Sequence, residues 1–335
     1  MWRCSSGGAS GSAQPSRPVR LLVIGGSGFV GAFAVRRLRE LGCEVKTFHR
    51  EEGADVRGDR KDLGAFHEAF ARFGPDVILD TIAYAEKDAA ALVATFRGLA
   101  RRLVVLSSQD VYAAYGRLLG LEAGAPDPAP AAENAPLRSS RFPYRAMARG
   151  PEDMAYDYDK ILVEQAAAGD PQLPATVLRL PSVYGPGDRQ HRLRSYVSRM
   201  HDRRSPFLLD TAKASWRWTR GYVENVAEAI ARAATDPRAA GRTYNVGDEM
   251  ALTELEWVRE IGAAAGFEGE IRTVPGQELP PELAEPYDFA HDLVADTTRI
   301  RLELGALERV GRAEAVQRSV EWERANPPAA QEFDR

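Results

Sequence analysis

Residues 21–42 read LLVIGGSGFVGAFAVRRLRELG, and the fold turns on how this stretch is read. The apolar run Leu21–Ile24 enters three glycines spaced by three, Gly25, Gly28 and Gly31, and leaves them in a helical pattern. Gly25 permits a tight turn out of a strand, Gly28 lets backbone approach a diphosphate, and Gly31 lets the helix pack close to the sheet. The helix start aims free N–H groups and its positive dipole end at the same point, with Ser27, Phe29 and Val30 completing the loop. A glycine-rich turn without ligand is the plain alternative. A dinucleotide loop needs a strand before it, a helix after it and an alternating α/β run beyond.

That run follows. Strand patterns at 20–24, 44–48, 76–80, 102–106 and 175–179 alternate with helical patterns near 29–41, 61–72, 87–99 and 154–168. Near-continuous apolar strands at this spacing predict a parallel sheet covered on both faces, a Rossmann-like doubly wound α/β fold. The expected dinucleotide-binding domain is 19–180 plus about 217–248, and a smaller discontinuous C-terminal substrate domain takes 181–216 plus 249–335. Residues 113–153, including APDPAPAAENAPLRSSRFPYR, show no period and read as a substrate lid or a surface insertion. Beyond them come a basic amphipathic stretch at 190–204, a strand at 219–223 and helices at 224–234, 252–265 and 311–324. Residues 1–18 are rich in Ser, Gly, Ala and Pro and read as a disordered leader.

Composition narrows the function. The 335 residues carry 44% hydrophobic and 27% charged side chains, ordinary for a globular protein, and a net charge of −4 that argues against nucleic acid as partner. The two cysteines, Cys4 and Cys43, form no disulfide framework or metal spacing and fit a cytoplasmic location. No apolar run is long enough to cross a membrane. A small-molecule substrate is expected, with room for a homodimer.

The strand EVKTF ends at His49-Arg50. A carboxylate there would bind the ribose 2′-OH of NAD, whereas an arginine suits the 2′-phosphate of NADP. Arg50 favours NADP over NAD, and Glu51 and Glu52 partly offset its charge. Farther on, MAYDYDKILVE holds Tyr156 and Lys160 four residues apart, which on one helix places them on one face about 5–6 Å apart. The ammonium would lower the phenol's pKa and let Tyr156 exchange a proton with a substrate hydroxyl, while Tyr158 points elsewhere. The strand RRLVVL ends in SSQDVY, residues 107–112, where open α/β sheets bind ligands. Ser108 is the hydroxyl best placed to hold the substrate oxygen, with Ser107 and Tyr112 behind it.

The order and spacing of GGSGFVG, GDRKD, SSQDVY, YDYDK, LRLPSVYGPGD, YVENVAEAI, YNVGD and DTTRIRLELG resemble the extended short-chain dehydrogenase/reductases, the NAD(P)-dependent epimerase/dehydratase group, over about 19–305. The resemblance implies hydride transfer at a hydroxyl or carbonyl carbon of a small polar, sugar-like metabolite. It implies Gly25, Gly28 and Gly31 as phosphate loop, Asp59 against the adenine amino group and Ile82 and Ala83 along the adenosine ribose, with Arg60, Tyr84 and Ser107 adjoining. It implies Ser108, Tyr156 and Lys160 as catalytic triad, Lys160 also holding the nicotinamide ribose, and Pro181, Ser182 and Val183 facing the carboxamide. A nucleotide-sugar epimerase or dehydratase is one alternative; a non-catalytic nucleotide- or RNA-binding module is another.

Three positions depart from the family's pattern. Ile24 stands where a threonine often precedes the first glycine. Trp218 stands where many nucleotide-sugar members have an arginine, with Arg217 and Arg220 close by. Gln109-Asp110 stands where dehydratases carry Asp-Glu, and Asp110 reads as an acid or as a cap. In the basic stretch, Arg192 is a candidate for an anionic substrate, against the alternative of a solvated helix face; His191 and His201 fit no metal spacing. Trp216, Trp218 and Tyr222 are candidates for pocket lining or core.

Overall fold

The structure, a computed structural model, describes residues 17–201 and 206–328. The leader expectation therefore lies almost wholly outside the described residues, as do Arg203 and Arg204 of the basic stretch. The strands are β1 Arg20–Ile24, β2 Glu44–His49, β3 Val56–Arg57, β4 Val77–Asp80, β5 Arg102–Ser108, β6 Ala175–Leu180, β7 Ser182–Tyr184, β8 Phe207–Asp210, β9 Arg220–Tyr222, β10 Thr243–Asn245 and β11 Ile271–Val274.

Seven of them form one parallel sheet in the order β10-β6-β5-β4-β1-β2-β3. Alternation along β1 divides its residues between two cores. Leu21 and Val23 pack on one face with Ala34, Leu38 and Ile230, whereas Leu22 and Ile24 pack on the other with Phe70, Leu92 and Phe96. Both faces are covered at the centre of the sheet, which is why β1 and β4 are apolar along nearly their whole length. The chain runs outward from β1 to β2 and β3, then returns to β4 on β1's other side. That reversal opens a crevice at the strands' C-terminal ends, where Gly25 begins the turn into the helix Phe29–Glu40.

The smaller elements lie beyond the sheet. β8 pairs with β11 and β7 with β9. The helix Glu254–Ala265 packs on the helices Arg194–His201 and Arg312–Ala325. The segment 113–153 begins with a helix, Ala113–Leu118, that the sequence did not announce. It is pinned by Arg138, whose fully buried guanidinium donates to the carbonyls of Asp110 and Ser140.

Two helical patterns are interrupted. The stretch predicted as a helix at 61–72 is a 3-10 turn, Arg60–Phe66, followed by the helix His67–Phe73; Asp59 caps the turn by accepting from Lys61 N–H. The pattern at 154–168 breaks into Met154–Asp157 and Lys160–Ala168, with Tyr158 and Asp159 extended between them. Asp159 causes the break: its buried carboxylate accepts from the backbone N–H groups of Ile161, Leu162 and Phe142, so it caps the second helix rather than continuing the first.

Candidate active site

A groove of about 800 Å³ runs along the sheet's C-terminal edge, floored by Gly25–Gly31. A Cβ on Gly31 would lie 2.3 Å from the Gly25 carbonyl oxygen, and one on Gly25, whose φ is +83°, would lie 2.5 Å from Thr81 Oγ1. The turn therefore closes only around glycine and leaves the first N–H groups of the helix facing the groove. Thr81, at the end of β4, donates to the carbonyls of Ile24 (3.0 Å) and Gly25 (3.1 Å). A neighbouring strand thus supplies a hydroxyl that Ile24 lacks.

Farther along, Ile82, Tyr84, His49, Arg50, Asp59 and Arg60 line the same groove. Arg50 is exposed, with its guanidinium 3.9 Å from Asp59. Arg60 is spent on Asp80 and Asp88, both buried or nearly so. Seven expected cofactor residues, Ala83, Ser107, Tyr156, Lys160, Pro181, Ser182 and Val183, do not line the groove. Ala83 and Val183 are core, Ser107 is buried and donates to Glu164 at 2.5 Å, and Lys160 is covered. Pro181 and Ser182 open on a different cavity.

That second cavity, about 490 Å³, sits beyond the end of β5 beneath the segment 113–153. Ser108, Gln109, Asp110, Tyr112, Arg192 and Trp218 all line it. Tyr158 donates to Asp110 Oδ2 at 2.7 Å, and the Tyr144 hydroxyl lies 3.2 Å from the same oxygen and 2.8 Å from the Tyr115 hydroxyl. Ser108 lines the same cavity as Tyr158 and pulls the phenol's pKa down, and its Oγ accepts from Asp110 N–H. Asp110 Oδ1 is buried with no partner among the described residues. Burial raises the Asp110 pKa, against the opposing pull of Tyr158, Arg138 and Lys160. Burial first, and then the Asp110 charge, hold the Tyr158 phenol protonated far above its ordinary range.

Lys160 lies behind these rings. Its ammonium donates to the carbonyls of Ala83 (2.6 Å) and Leu106 (2.9 Å), 4.8 Å from the Tyr84 ring and 5.8 Å from that of Tyr158. Desolvation lowers its pKa to about 8. Tyr84 and Tyr158 stack with centroids 6.1 Å apart, so a single layer of aromatic rings separates Lys160 from the space in front.

Tyr156 is not part of this cluster. Its ring lies 4.7 Å from the Arg145 guanidinium, its carbonyl accepts from Arg145 Nε, and it lines neither cavity. A spacing of four residues puts two side chains on one face only along an unbroken helix, and the cap at Asp159 breaks it. Tyr158, expected to point away, is the phenol beside Ser108. The residue that signals this is legible in the sequence: an aspartate directly before the apolar-periodic run KILVE is a helix start. Tyr115 and Tyr144 gave no comparable signal, because only the folded 113–153 segment brings them to Asp110.

The remaining candidates separate by pairing. Gln109 Nε2 donates to the Val246 carbonyl at 2.8 Å. Arg217 is taken by Asp292 at 2.8 Å and Arg220 by Glu254 at 2.5 Å. Trp216 and Tyr222 are core, while Trp218 faces the cavity. His191 pairs with Glu323, and the described residues contain no cluster of metal-binding side chains. No described helix is long and apolar enough to cross a membrane. The two cavities adjoin: Met154, Gln190 and Arg192 line both.

Similarity to known proteins is consistent with this layout. Among solved structures, an epimerase from Methanothermobacter thermautotrophicus superposes with a TM-score of 0.67 at 16% identity, covering 92% of this chain and 93% of its own. A UDP-glucose 4-epimerase from Thermus thermophilus in complex with NAD gives a TM-score of 0.63 at 23% identity, with 91% and 99% covered. At such identities the likeness is one of fold. Among curated proteins, a dTDP-glucose 4,6-dehydratase of Streptomyces niveus is 36% identical over 88 residues, 26% of this chain and 24% of its own length. The uncharacterized protein y4nL of Sinorhizobium fredii is 24% identical over 194 residues, 50% of this chain and 53% of its own. The chain thus spans about a quarter and about half the length of these two relatives. The model of the NAD dependent epimerase/dehydratase family matches residues 21–247, from the first strand through the last strand of the main sheet, and the chain belongs to that family.

Proposed function

We propose that the protein transfers hydride at a hydroxyl- or carbonyl-bearing carbon of a small polar, sugar-like metabolite. The observation that carries this is the meeting of the two cavities: a groove floored by a turn only glycine can form opens beside a chamber holding Ser108, Tyr158 and Asp110. In this reading Gly25, Ser27, Gly28 and the amides opening the helix Phe29–Glu40 hold the diphosphate, while Ile82 and Tyr84 flank the sugar rings. A nicotinamide held there would supply the hydride acceptor or donor. Ser108 donates a hydrogen bond to the reacting oxygen. Tyr158 Oη takes the hydroxyl proton as it passes its own to Asp110 Oδ2, so the phenol ends neutral and the proton rests on the carboxylate. The carbonyl left behind has lost one proton and one hydride.

This route differs from one in which lysine acidifies a phenol, since no phenolate forms. A buried carboxylate whose pKa is raised is the stronger base for it. The cofactor is NADP in preference to NAD: no carboxylate ends β2, and Arg50 is exposed at that end with only a 3.9 Å contact to Asp59. Calorimetry with NADP and NAD tests the reading. Binding of one or both, with nicotinamide reduction by a panel of sugars and secondary alcohols, supports it; binding of neither removes it.

A further inference from the structure

Resting on that reading, we infer that the substrate is an uncharged, hydroxylated ring compound, seated on Trp218, and that the chamber rejects nucleoside-diphosphate sugars. Charge separates the two kinds of substrate. A diphosphate buried in a cavity of about 490 Å³ loses most of its hydration and needs cations free to replace it.

Among the described residues lining the chamber, the one cation is Arg192, and Asp188 already holds it at 2.7 Å. Asp188 is itself buried and accepts from the backbone N–H of Arg192 as well, so the pair is fixed at both ends. Two carboxylates also line the chamber, Asp110 and Asp292. The arginines flanking Trp218 are committed: Arg217 makes two side-chain hydrogen bonds to Asp292, and Arg220 is buried against Glu254. Behind the lining, Arg138 and Lys160 donate to backbone carbonyls, so a diphosphate would meet a lining of one paired arginine and two carboxyl groups, with like-charge repulsion added to its desolvation.

What the wall does offer suits a neutral ring. Trp218 is braced by Trp216 at 5.4 Å and faces the chamber, as do Tyr115 and Tyr144. Aromatic faces pack the C–H side of a saturated ring or the flat face of an aromatic one. Ser108, Ser182, Gln190 and the carboxylate of Asp292 supply hydrogen-bonding partners for neutral hydroxyls at the edge.

The test uses the full-length protein saturated with whichever of NADP or NAD binds, so that added nucleotides cannot enter the cofactor groove. UDP, UDP-glucose and phenyl β-glucoside are titrated by calorimetry and by tryptophan fluorescence. The expected order is phenyl glucoside tighter than UDP-glucose, with UDP at least about tenfold weaker than the glucoside. Trp218→Ala should weaken the glucoside about tenfold while leaving cofactor affinity unchanged, and Trp218→Phe should restore most of the loss. Asp292→Asn should strengthen UDP relative to wild type. UDP or UDP-glucose binding as tightly as the glucoside, or glucoside affinity unchanged in Trp218→Ala, overturns the inference while cofactor binding keeps the reaction class standing. Failure of NADP and NAD alike to bind would instead strike at the reaction class.

Discussion

The two cavities are built by opposite means. The floor of the proposed cofactor groove is a short contiguous glycine turn shaped by three missing side chains, and its walls are added by the ends of β2, β3 and β4 and by 151–157 and 188–192. The substrate chamber is made of side chains gathered from β5, the 113–153 segment, the Tyr158 break, the turn after β6 and the stretch around Asp292. A groove of the first kind can be read from a string of residues. A chamber of the second kind exists only once distant segments have packed. In the proposed function, the hydride chemistry draws on the local turn and selectivity on the assembled chamber.

Experiments can press on that contrast. The largest effect should come from Gly31→Val, because the added branch must displace the Gly25 carbonyl, only 2.3 Å from the Cβ position. Cofactor affinity by calorimetry should fall more than about 100-fold, and a folded variant that binds normally would show that the turn is not the cradle. Next comes the break at Asp159. Tyr158→Phe should lower turnover by about 10²–10⁴-fold with cofactor affinity unchanged, whereas Tyr156→Phe should stay within about twofold. The reverse ranking would restore the unbroken-helix geometry and place Tyr156 in the chamber.

A smaller effect separates the two ends of the groove. Arg50→Ala should weaken NADP by about tenfold and leave NAD nearly as it was, since an exposed guanidinium contributes through the 2′-phosphate alone. Equal losses for both cofactors would assign Arg50 elsewhere.

The smallest effect concerns a group belonging to neither cavity. Burial, reinforced by Glu308, raises Asp248 from 3.8 to about 7. A carboxyl raised on folding adds stability that is complete at low pH and is lost as pH climbs through the folded value. The melting temperature should therefore decline from about pH 4 to about pH 7 and level off above, and Asp248→Asn should flatten that slope. An unchanged slope in the variant would place the titration in another group.

Much of the fold was legible because its rules are local. Five of the seven strands of the main sheet fall within a residue or two of the predicted runs, whereas the short edge strands β3 and β10 carry no such run and were not predicted. The helix at 154–168 misled because apolar periodicity continues through 160–168 while a single aspartate breaks the backbone before it. Cap chemistry outranked periodicity there, and it exchanged which tyrosine meets Ser108. The segment 113–153 was opaque for a different reason. Its proline-rich sequence has no period, and its order comes from long-range ties such as Arg138 to the Asp110 carbonyl and Ala131 to the Val294 carbonyl.

By itself, then, the sequence determined the central strands of the parallel sheet, the glycine turn and the placing of SSQDVY at the end of β5, because each is written in a local pattern of residues. The tertiary structure alone decided which phenol stands beside Ser108, which carboxylate receives its hydrogen bond and which arginines are already paired. Those outcomes depend on distances between segments far apart in the chain. A charge or hydroxyl acquires its chemistry from the partner that folding places next to it.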